Sequence, residues 1–504
     1  MRVKIAAYLL ISLLALPWLQ NLSWGPSALL VQSVVAWSCW AVFGLLCVGV
    51  NTTQDQVVAS VVKAWGLAAV LSACIGILQY FGFANGLQGV ASAADVGQAF
   101  GNLRQRNQFA TLMSMGLVAL LWHAATANVH RGLLGAAPSK VWALYLMAAL
   151  LSAANAASGS RTGMLQWLLL AAVYGFWMAS KRQGLVPQLL AVSILAYGLA
   201  AMLLPMLLGK GVLESGILNR LQEASPACAS RITLWANVLE LIARKPLMGW
   251  GWGELDYAHF ISPFTGLRFC GIVDNAHNLP LQLAVELGLP LAVLVSGLLL
   301  GGVLYAKPWR EVQPTRQAAW AVLAVIGLHS MLEYPLWYAP FQGAVIAAVF
   351  FLCLRAEGLR NTIKKSGLVI ISVGILAASV VVAFDYWRIS QIYLPLASRT
   401  QVFKTNGLQV ANASWMFKNL AAFAELTTTE LHRDNADHVH AMALQLLHFS
   451  PEPRVIEKLI ESAAMLGKNE ESMFYLARYK DAFPAEAARW MEKLKKAFRQ
   501  IDLQ

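Results

Sequence analysis

The sequence predicts an all-α protein that crosses a membrane many times, and two properties support this fold class. Of the 504 residues, 58% are hydrophobic and 13% are charged, whereas about 25% of residues are charged in a typical soluble domain. The apolar residues also gather in runs that match the roughly 17 to 25 residues a helix needs to cross a membrane. Composition therefore excludes a soluble multidomain enzyme.

The apolar runs predict about eleven transmembrane helices. The first run follows Arg2 and Lys4 without a small-residue cleavage site, so we expect a retained helix rather than a cleaved signal peptide. The runs lie at residues 4–20, 27–49, 57–82, 107–127, 140–157, 162–180, 185–208, 279–305, 317–332, 336–354 and 367–387.

The distribution of Lys and Arg predicts the orientation, because cytoplasmic loops are enriched in both. Residues 209–278 and the tail after about residue 390 then face outward. The net charge of +12 is mainly a topology signal, and it implies no nucleic-acid partner. The basic residues of the cytoplasmic loops are Arg2, Lys4, Arg131, Lys140, Lys181, Arg182, Lys307, Arg310, Arg316, Arg355, Arg360, Lys364 and Lys365.

Two of the six cysteines, Cys228 and Cys270, lie in the outer segment, and the other four lie in apolar runs. An oxidising compartment permits a disulfide, so we expect these two to be bonded. The alternative is a pair of free loop thiols.

Polar side chains gather before the fourth span in G-N-L-R-Q-R-N-Q-F, which contains Arg104, Gln105, Arg106, Asn107 and Gln108. Amides are typical of groups that hold sugar hydroxyls. The alternative is a collar of snorkelling side chains that binds membrane lipid headgroups.

A second outer loop, A-S-G-S-R-T-G, carries Arg161 between three hydroxyl side chains and two glycines. The guanidinium group of arginine can bind an anion through two hydrogen bonds, and glycine permits a ligand to approach the backbone closely. The loop therefore resembles an anion-binding site. The alternative is a tight helical hairpin with a stray arginine.

Arg231 opens a predicted amphipathic helix in the outer segment, in which Ile232, Trp235, Val238, Leu239 and Ile242 recur at helical spacing. Ser230 is suited to cap this helix. A cation in the first turn is unfavourable for the helix dipole unless an anion binds there, so Arg231 is a candidate anion-binding residue.

The stretch D-N-A-H-N-L-P-L-Q-L-A-V-E-L-G-L-P places His277 directly before a predicted helix. Asn278 is suited to cap that helix and Pro280 fits its first turn. The positive end of the dipole then faces His277. Glu286 follows as an intramembrane carboxylate, which is a site or packing candidate.

Further polar side chains lie in H-S-M-L-E-Y-P, where Glu333 and Tyr334 precede the helix-breaking Pro335. An aromatic belt would account for the tyrosine alone. Residues 1–390 are thus predicted as a transmembrane domain with an outer loop at 209–278. Residues 391–504 are predicted as a soluble helical domain that loosely resembles tetratricopeptide arrays.

These outer residues fit transfer from a lipid-linked pyrophosphate donor. Arginines neutralise a leaving pyrophosphate, and a neutral imidazole accepts the proton of an incoming hydroxyl. The sequence contains neither an Asp-rich metal motif nor a phosphate-binding glycine loop, so we expect no metal or other cofactor.

Three motifs resemble the O-antigen ligase and polymerase superfamily: S-R-T-G with Arg161, Arg231 before a Trp-bearing helix, and H-N-x-x-L-x-x-x-x-E-x-G from His277. R-Q-R-N-Q at 104–108 and H-S-x-x-E-Y-P at 329–335 are similar to its bacterial protein O-oligosaccharyltransferase branch, the pilin-glycosylating PglL type. The familiar form of the first of these has proline where this chain has Arg106.

The resemblance implies a GT-C-like enzyme of the bacterial inner membrane, active on the periplasmic face. It would transfer a preassembled oligosaccharide from undecaprenyl pyrophosphate to Ser or Thr of pilin-like or other periplasmic proteins. It implies that His277 activates the acceptor, that Arg161 and Arg231 hold pyrophosphate, and that Gln105, Gln108 and Tyr334 support donor or acceptor. Beside these, we predict that Arg104 also binds the pyrophosphate. Further supporting residues are predicted to be Asn107, Asn278, Glu286 and Glu333.

Two alternatives remain open. Within the superfamily, the acceptor could be a glycan, which would make the protein an O-antigen ligase or polymerase. A lipid-linked glycan transporter is the alternative from another class, although transporters usually need ionisable groups near the membrane midplane.

Overall fold

The computed structural model describes residues 2–87, 89–130, 138–178, 184–222, 226–354 and 365–501. Within these ranges the chain is helical and contains no β-strand, as the fold class predicts. Six basic residues that predict the orientation lie outside the described residues, namely Arg131, Lys181, Arg182, Arg355, Arg360 and Lys364.

The α-helices are numbered in chain order. They are α1 (Arg2–Leu19), α2 (Ala28–Gly49), α3 (Gln54–Tyr80), α4 (Arg106–His130), α5 (Pro138–Ser158), α6 (Arg161–Trp177), α7 (Leu185–Leu207), α8 (Gly216–Gln222), α9 (Arg231–Arg244), α10 (Leu255–Ile261), α11 (Leu279–Leu287), α12 (Leu289–Ala306), α13 (Pro314–Ser330), α14 (Ala339–Cys353), α15 (Lys365–Ile392), α16 (Gln401–Asn412), α17 (Lys418–Thr428), α18 (Ala436–Leu447), α19 (Pro453–Met465), α20 (Asn469–Ala482) and α21 (Pro484–Ile501).

Seven of the described helices are long and apolar enough to cross a membrane, namely α2, α3, α4, α5, α7, α12 and α15. The other four predicted spans are helices as well, but α1, α6, α13 and α14 have only 15 to 18 residues. The chain is therefore a multi-pass membrane protein.

One predicted span, over residues 279–305, is divided in the structure. It forms α11 and α12, which are separated at Gly288, where φ is +88°. Such a φ is accessible to glycine and interrupts the helix. Only the second part, Leu289–Arg310, is long and apolar enough to cross a membrane. Glu286 lies before it in the short α11, and the expectation of an intramembrane carboxylate stays a prediction.

Packing divides the chain into two units, of which unit 1 comprises Met1–Glu223 and Gly301–Ala383. Helix α4 is the central element of unit 1. In its most apolar stretch 83% of the residues are buried, and the helix contacts α3, α5, α6 and α13. A Cβ atom on Gly116 would lie only 2.4 Å from the Cβ of Ala69. Glycine is thus required where α4 approaches α3.

Unit 2 comprises Ala224–Leu300 and Phe384–Gln504. Its helix α9 confirms the predicted amphipathic segment, but the apolar face differs in part. Val238 and Ile242 are buried as expected, whereas Ile232 and Leu239 are exposed. The reason is that the face packed in the core is centred on Leu241.

The C-terminal helices of unit 2 pack together with the short helix α10. Phe260 is buried in the same apolar cluster as residues of α17 to α20. Tyr257 stacks on His448 with ring centroids 3.8 Å apart, and His448 Nδ1 lies 2.8 Å from a carboxylate oxygen of Glu254. Packing thus groups the tail with residues 224–300, and the division at residue 390, drawn from composition, stays a prediction.

Candidate functional site

In unit 1, a chain of hydrogen bonds joins three motifs that lie far apart in the sequence. Ser160 caps α6 by accepting a hydrogen bond from the Gly163 N–H at 2.9 Å. Its hydroxyl donates to Asn107 Oδ1 at 2.6 Å, and Asn107 Nδ2 donates to Glu333 Oε1 at 3.2 Å. The structure therefore brings together Asn107, Glu333 and the loop that carries Arg161.

A second polar group lies deeper in unit 1. Gln166 donates to the Thr111 hydroxyl at 2.7 Å, and that hydroxyl lies 2.9 Å from Nδ1 of His329. Gln166, Thr111 and His329 are all buried. Buried polar groups of this kind specify how helices pack when their hydrogen bonds are satisfied, so we assign this group to the packing of α4, α6 and α13.

Arg161 is the first residue of α6 and is exposed. The preceding Gly159 has a φ of +59°, which makes the tight turn after α5. A Cβ atom on Gly163 would lie 2.3 Å from Asn155 Oδ1 and 2.5 Å from the Cβ of Ala110. The close approach that Gly163 permits is therefore to α4 and α5, while Arg161 extends from the end of the hairpin.

The residues of the R-Q-R-N-Q motif have different surroundings. Arg104 Nη2 donates to the side chain of Asn21 at 2.9 Å and to its carbonyl at 3.2 Å, so Arg104 ties two loops of unit 1 together. Gln105 Oε1 accepts the N–H of Gln108 at 2.6 Å at the start of α4. Gln108 is buried, and its Oε1 accepts no hydrogen bond from the described residues.

Tyr334, of the H-S-x-x-E-Y-P motif, stacks on Tyr338 with ring centroids 6.2 Å apart.

One basic residue at the α5–α6 turn was missed by sequence reasoning. Arg220 of α8 reaches this turn, where its Nη1 donates to the carbonyl of Gly159 at 3.4 Å. The signal that singled out Arg161 was a positive charge in a short outer loop. Arg220 lies in the long outer segment, where the positive-inside rule carries little weight.

In unit 2, Cys228 and Cys270 are joined by a disulfide, with Cα atoms 5.2 Å apart. The N–H of Cys270 also donates to the carbonyl of Cys228 at 3.1 Å. Ser230 follows and caps α9 by accepting the Thr233 N–H at 3.1 Å. The disulfide thus lies next to the helix start that carries Arg231.

His277 is held in a left-handed backbone conformation, with a φ of +51°. Its N–H donates to the side chain of the buried Asn275 at 2.7 Å. Asn278 then caps α11 by accepting the Leu281 N–H at 3.1 Å, which confirms the predicted helix start. His277 is half-buried directly before this cap, where the helix dipole favours a negative charge.

Helix α9 is tied to the segment before His277. Trp235 Nε1 donates to the carbonyl of Ala276 at 3.0 Å, and the N–H of Ala276 donates to Gln282 at 2.7 Å. Because residues four positions apart share one face of a helix, Arg231 lies one turn before Trp235 on that face. The structure thereby places Arg231 on the side of α9 that is bonded to the His277 segment.

Glu286 is bonded to the Gly- and Trp-rich turn at residues 245–253. Its Oε1 accepts the Gly253 N–H at 2.9 Å, and its carbonyl accepts the Gly251 N–H at 2.9 Å. Burial raises the pKa of this carboxyl to about 7. These bonds hold the turn against α11, so Glu286 positions the helix that follows His277.

Replacing Gly288 by alanine should disrupt this arrangement. A Cβ atom at Gly288 would lie 2.1 Å from the Leu247 carbonyl oxygen, so backbone would have to move. Gly253 has a similar φ of +78° but open space around its Cβ position. We expect Gly253→Ala to cost about 1 to 2 kcal/mol and Gly288→Ala clearly more, measured as thermal unfolding midpoints. Equal losses in both variants would contradict the assigned contact.

Three family models match the chain. The model described as protein glycosylation ligase matches residues 99–123, and O-antigen ligase matches residues 146–296. The model described as virulence factor membrane-bound polymerase, C-terminal, matches residues 317–497. The range 99–123 contains the R-Q-R-N-Q motif. The range 146–296 contains Arg161, Arg231 and His277.

Two proteins of Acinetobacter baylyi (strain ATCC 33305 / BD413 / ADP1) are similar to this chain. A general O-oligosaccharyltransferase is 26% identical over 283 residues, which cover 54% of this chain and 46% of that protein. A ComP-specific O-oligosaccharyltransferase is 25% identical over 138 residues, which cover 27% of this chain and 24% of that protein. The aligned region thus spans less than half of either relative.

The fold and these matches together define the class, a multi-pass membrane protein that carries O-antigen ligase sequence features. The sequence matches also confirm the predicted resemblance to the PglL type of protein O-oligosaccharyltransferase.

Proposed function

We propose that this protein transfers a preassembled oligosaccharide from undecaprenyl pyrophosphate to Ser or Thr hydroxyls of periplasmic proteins such as pilin. The observation that carries the proposal is the setting of His277. It precedes the capped helix α11 and is tied through Ala276 to the face of α9 that bears Arg231. A base beside an anion-binding cation suits a transfer that releases a pyrophosphate.

The proposed roles follow the chemistry of each group. The acceptor hydroxyl oxygen attacks the anomeric carbon of the glycan, and its proton passes to the His277 imidazole. The bond from that carbon to the pyrophosphate oxygen breaks, and Arg161 and Arg231 stabilise the charge on the leaving lipid pyrophosphate. The reaction is proposed to need no metal, so transfer should persist in the presence of a chelator.

The other assignments are proposals of narrower scope. Asn107, Gln108, Glu333 and Tyr334 are proposed to support donor or acceptor, with the hydrogen bonds of Asn107 and Glu333 as support. Arg104 is proposed to assist the pyrophosphate from its position beside Asn21. Gln105, Asn278 and Glu286 are proposed to act by positioning the helices that they cap or hold.

The proposed setting is the bacterial inner membrane, with about eleven spans in a GT-C-like arrangement and the active face in the periplasm. The seven candidate spans and the four shorter helices support this number. The outer loop and the tetratricopeptide-like tail would then both be periplasmic. The disulfide between Cys228 and Cys270 supports an oxidising compartment for the loop.

The test is to co-express this chain with a lipid-linked glycan pathway and a pilin, and to search for the glycopeptide by mass spectrometry. Arg161→Gln should lower transfer about 100-fold or more, because it removes charge stabilisation of the leaving group. Lys210→Gln removes a charge from the same outer region and should leave transfer unchanged. Absence of any glycopeptide with the wild-type chain would contradict the protein acceptor.

A glycan acceptor is the second candidate, favoured by the matches to models described as O-antigen ligase and as a membrane-bound polymerase. The products formed in the same cells distinguish the two functions. Transfer to lipid A core sugar or to growing glycan chains, without glycopeptide, would support the ligase or polymerase instead.

A further inference from the structure

A cavity of about 480 Å³ lies in unit 1, between α1 and the loop that joins α2 to α3. Its volume is within the range of roughly 300 to 1,000 Å³ that is typical of ligand pockets. The lining has two chemically different sides. The side from α1 is apolar and consists of Ala6, Ala7, Leu10 and Ile11. The side from the α2–α3 loop and α3 includes Asn51, Thr52, Thr53, Gln56, Ser60 and Lys63, and it is mainly polar.

The polar side of the cavity is fixed by a capping box at the start of α3. The Thr53 hydroxyl accepts the backbone N–H of Gln56 at 3.3 Å, and Gln56 Oε1 accepts the Thr53 N–H at 2.9 Å. Such reciprocal bonds hold both side chains in place. Among the described residues, the side-chain N–H groups of Gln56 have no acceptor, so they remain donors for a ligand.

Lys63 is the cation of this cavity, and it lies inside a helix long enough to cross the membrane. It is about 14 Å along the axis of α3 from Gln54, at 1.5 Å per residue. Within the described part of the chain, Lys63 forms neither an ion pair nor a hydrogen bond, and no acidic side chain lines the cavity. A lysine inside a span is costly unless it meets a counter-charge or extends to the interface. Extension alone would leave the cavity unfilled.

A second lysine reaches the edge of the cavity. Lys365 Nζ donates to Asn51 Oδ1, and Asn51 is part of the lining. An amide oxygen does not neutralise an ammonium group. At the other end of α3, Gln79 Nε2 donates to the carbonyl of Gly101 at 2.9 Å, shortly before the R-Q-R-N-Q motif. The cavity and that motif therefore lie at opposite ends of α3.

We propose that this cavity binds one anionic phospholipid, with its phosphate at Lys63 and an acyl chain against the apolar side of α1. The inference goes beyond the proposed function, because it concerns the end of α3 remote from the R-Q-R-N-Q motif. A phosphate supplies the missing counter-charge, and the Gln56 amide can donate to its oxygens. Basic pockets between transmembrane helices suit anionic headgroups. A free phosphate ion shares this chemistry but would leave the apolar side uncovered.

The test measures the affinity of the purified full chain in detergent for its first bound lipid, by native mass spectrometry. The probes are dioleoyl phosphatidylglycerol, which is anionic, and dioleoyl phosphatidylcholine, which has no net charge. We expect phosphatidylglycerol to bind about tenfold more tightly, and Lys63→Gln to remove this preference, as for a lost hydrogen bond to a charged group. Lys63→Arg keeps the charge and should retain most of it. Ala7→Phe fills the apolar side and should weaken phosphatidylglycerol binding without a change of charge.

Lys140→Gln is the matched control, because Lys140 is an exposed lysine near the start of α5 and does not line the cavity. It should bind both lipids as the wild-type chain does. Thermal unfolding midpoints without added lipid check that each variant folds. If Lys63→Gln does not fold, the comparison of the two lipids and Ala7→Phe still decide the outcome.

Three results would overturn the proposal. Equal affinity of the wild-type chain for both lipids would show that the site does not select an anion. Unchanged phosphatidylglycerol affinity in Lys63→Gln would leave Lys63 as a residue that only extends to the interface. Inorganic phosphate is the third probe, and a rise in the unfolding midpoint as large as that with phosphatidylglycerol would identify a free anion as the ligand.

Discussion

Replacing His277 by asparagine should lower glycan transfer about 100- to 10,000-fold, the usual contribution of a general base. The expected loss is in the transfer step, because the imidazole is proposed to accept the proton of the acceptor hydroxyl. It should be measured as the rate of glycan transfer to pilin in membranes that contain equal amounts of each variant. Transfer within a few-fold of the wild-type rate would remove His277 from the proposed mechanism.

Asparagine is the better replacement because of the backbone. His277 has a φ of +51°, a region that asparagine tolerates more readily than alanine does. His277→Ala would combine backbone strain with loss of the base. His277→Gly removes both the base and the strain, so added imidazole should restore part of its activity. His438→Asn, at an exposed position of the C-terminal helices, should leave transfer unchanged.

Replacing both Cys228 and Cys270 by serine should destabilise unit 2 by about 4 kcal/mol, the loop-closure entropy for a separation of 42 residues. The disulfide links the segment before α9 to the segment before His277, so its loss should loosen the setting of both Arg231 and His277. The measurements are the denaturant midpoint of the tryptophan fluorescence and the resistance of residues 226–300 to protease.

The control is Cys353→Ser, which removes a free thiol of α14 and should change neither midpoint nor protease resistance. Thiol labelling of the denatured wild-type chain, without reductant, provides an independent check. Cys39, Cys47, Cys74 and Cys353 should react and the two loop cysteines should not. Reaction of all six thiols to the same extent would exclude the disulfide.

Features that depend on neighbouring residues could be predicted from the sequence. Each predicted span coincides with helical structure, because a run of apolar residues and its length are local properties. The caps at Ser230 and Asn278 were predictable for the same reason, since a cap satisfies N–H groups two or three residues away. The motifs likewise indicated the resemblance to the PglL type of protein O-oligosaccharyltransferase without any knowledge of packing.

Features that depend on distant residues could not be predicted. The bonds of Asn107 to Ser160 and to Glu333 cross 53 and 226 residues of sequence. The division of the predicted span 279–305 at Gly288 likewise depends on distant residues, because the turn at residues 245–253 packs directly on Gly288.

The sequence by itself thus determined the membrane class, the helices and the candidate residues, because these follow from composition and short-range spacing. Only the tertiary structure decided which candidates meet. It joined Asn107 and Glu333 to the Arg161 loop, tied α9 to the His277 segment, and brought Arg220 to the turn before α6. The physical reason is that such contacts depend on how separate helices pack, which local patterns do not encode.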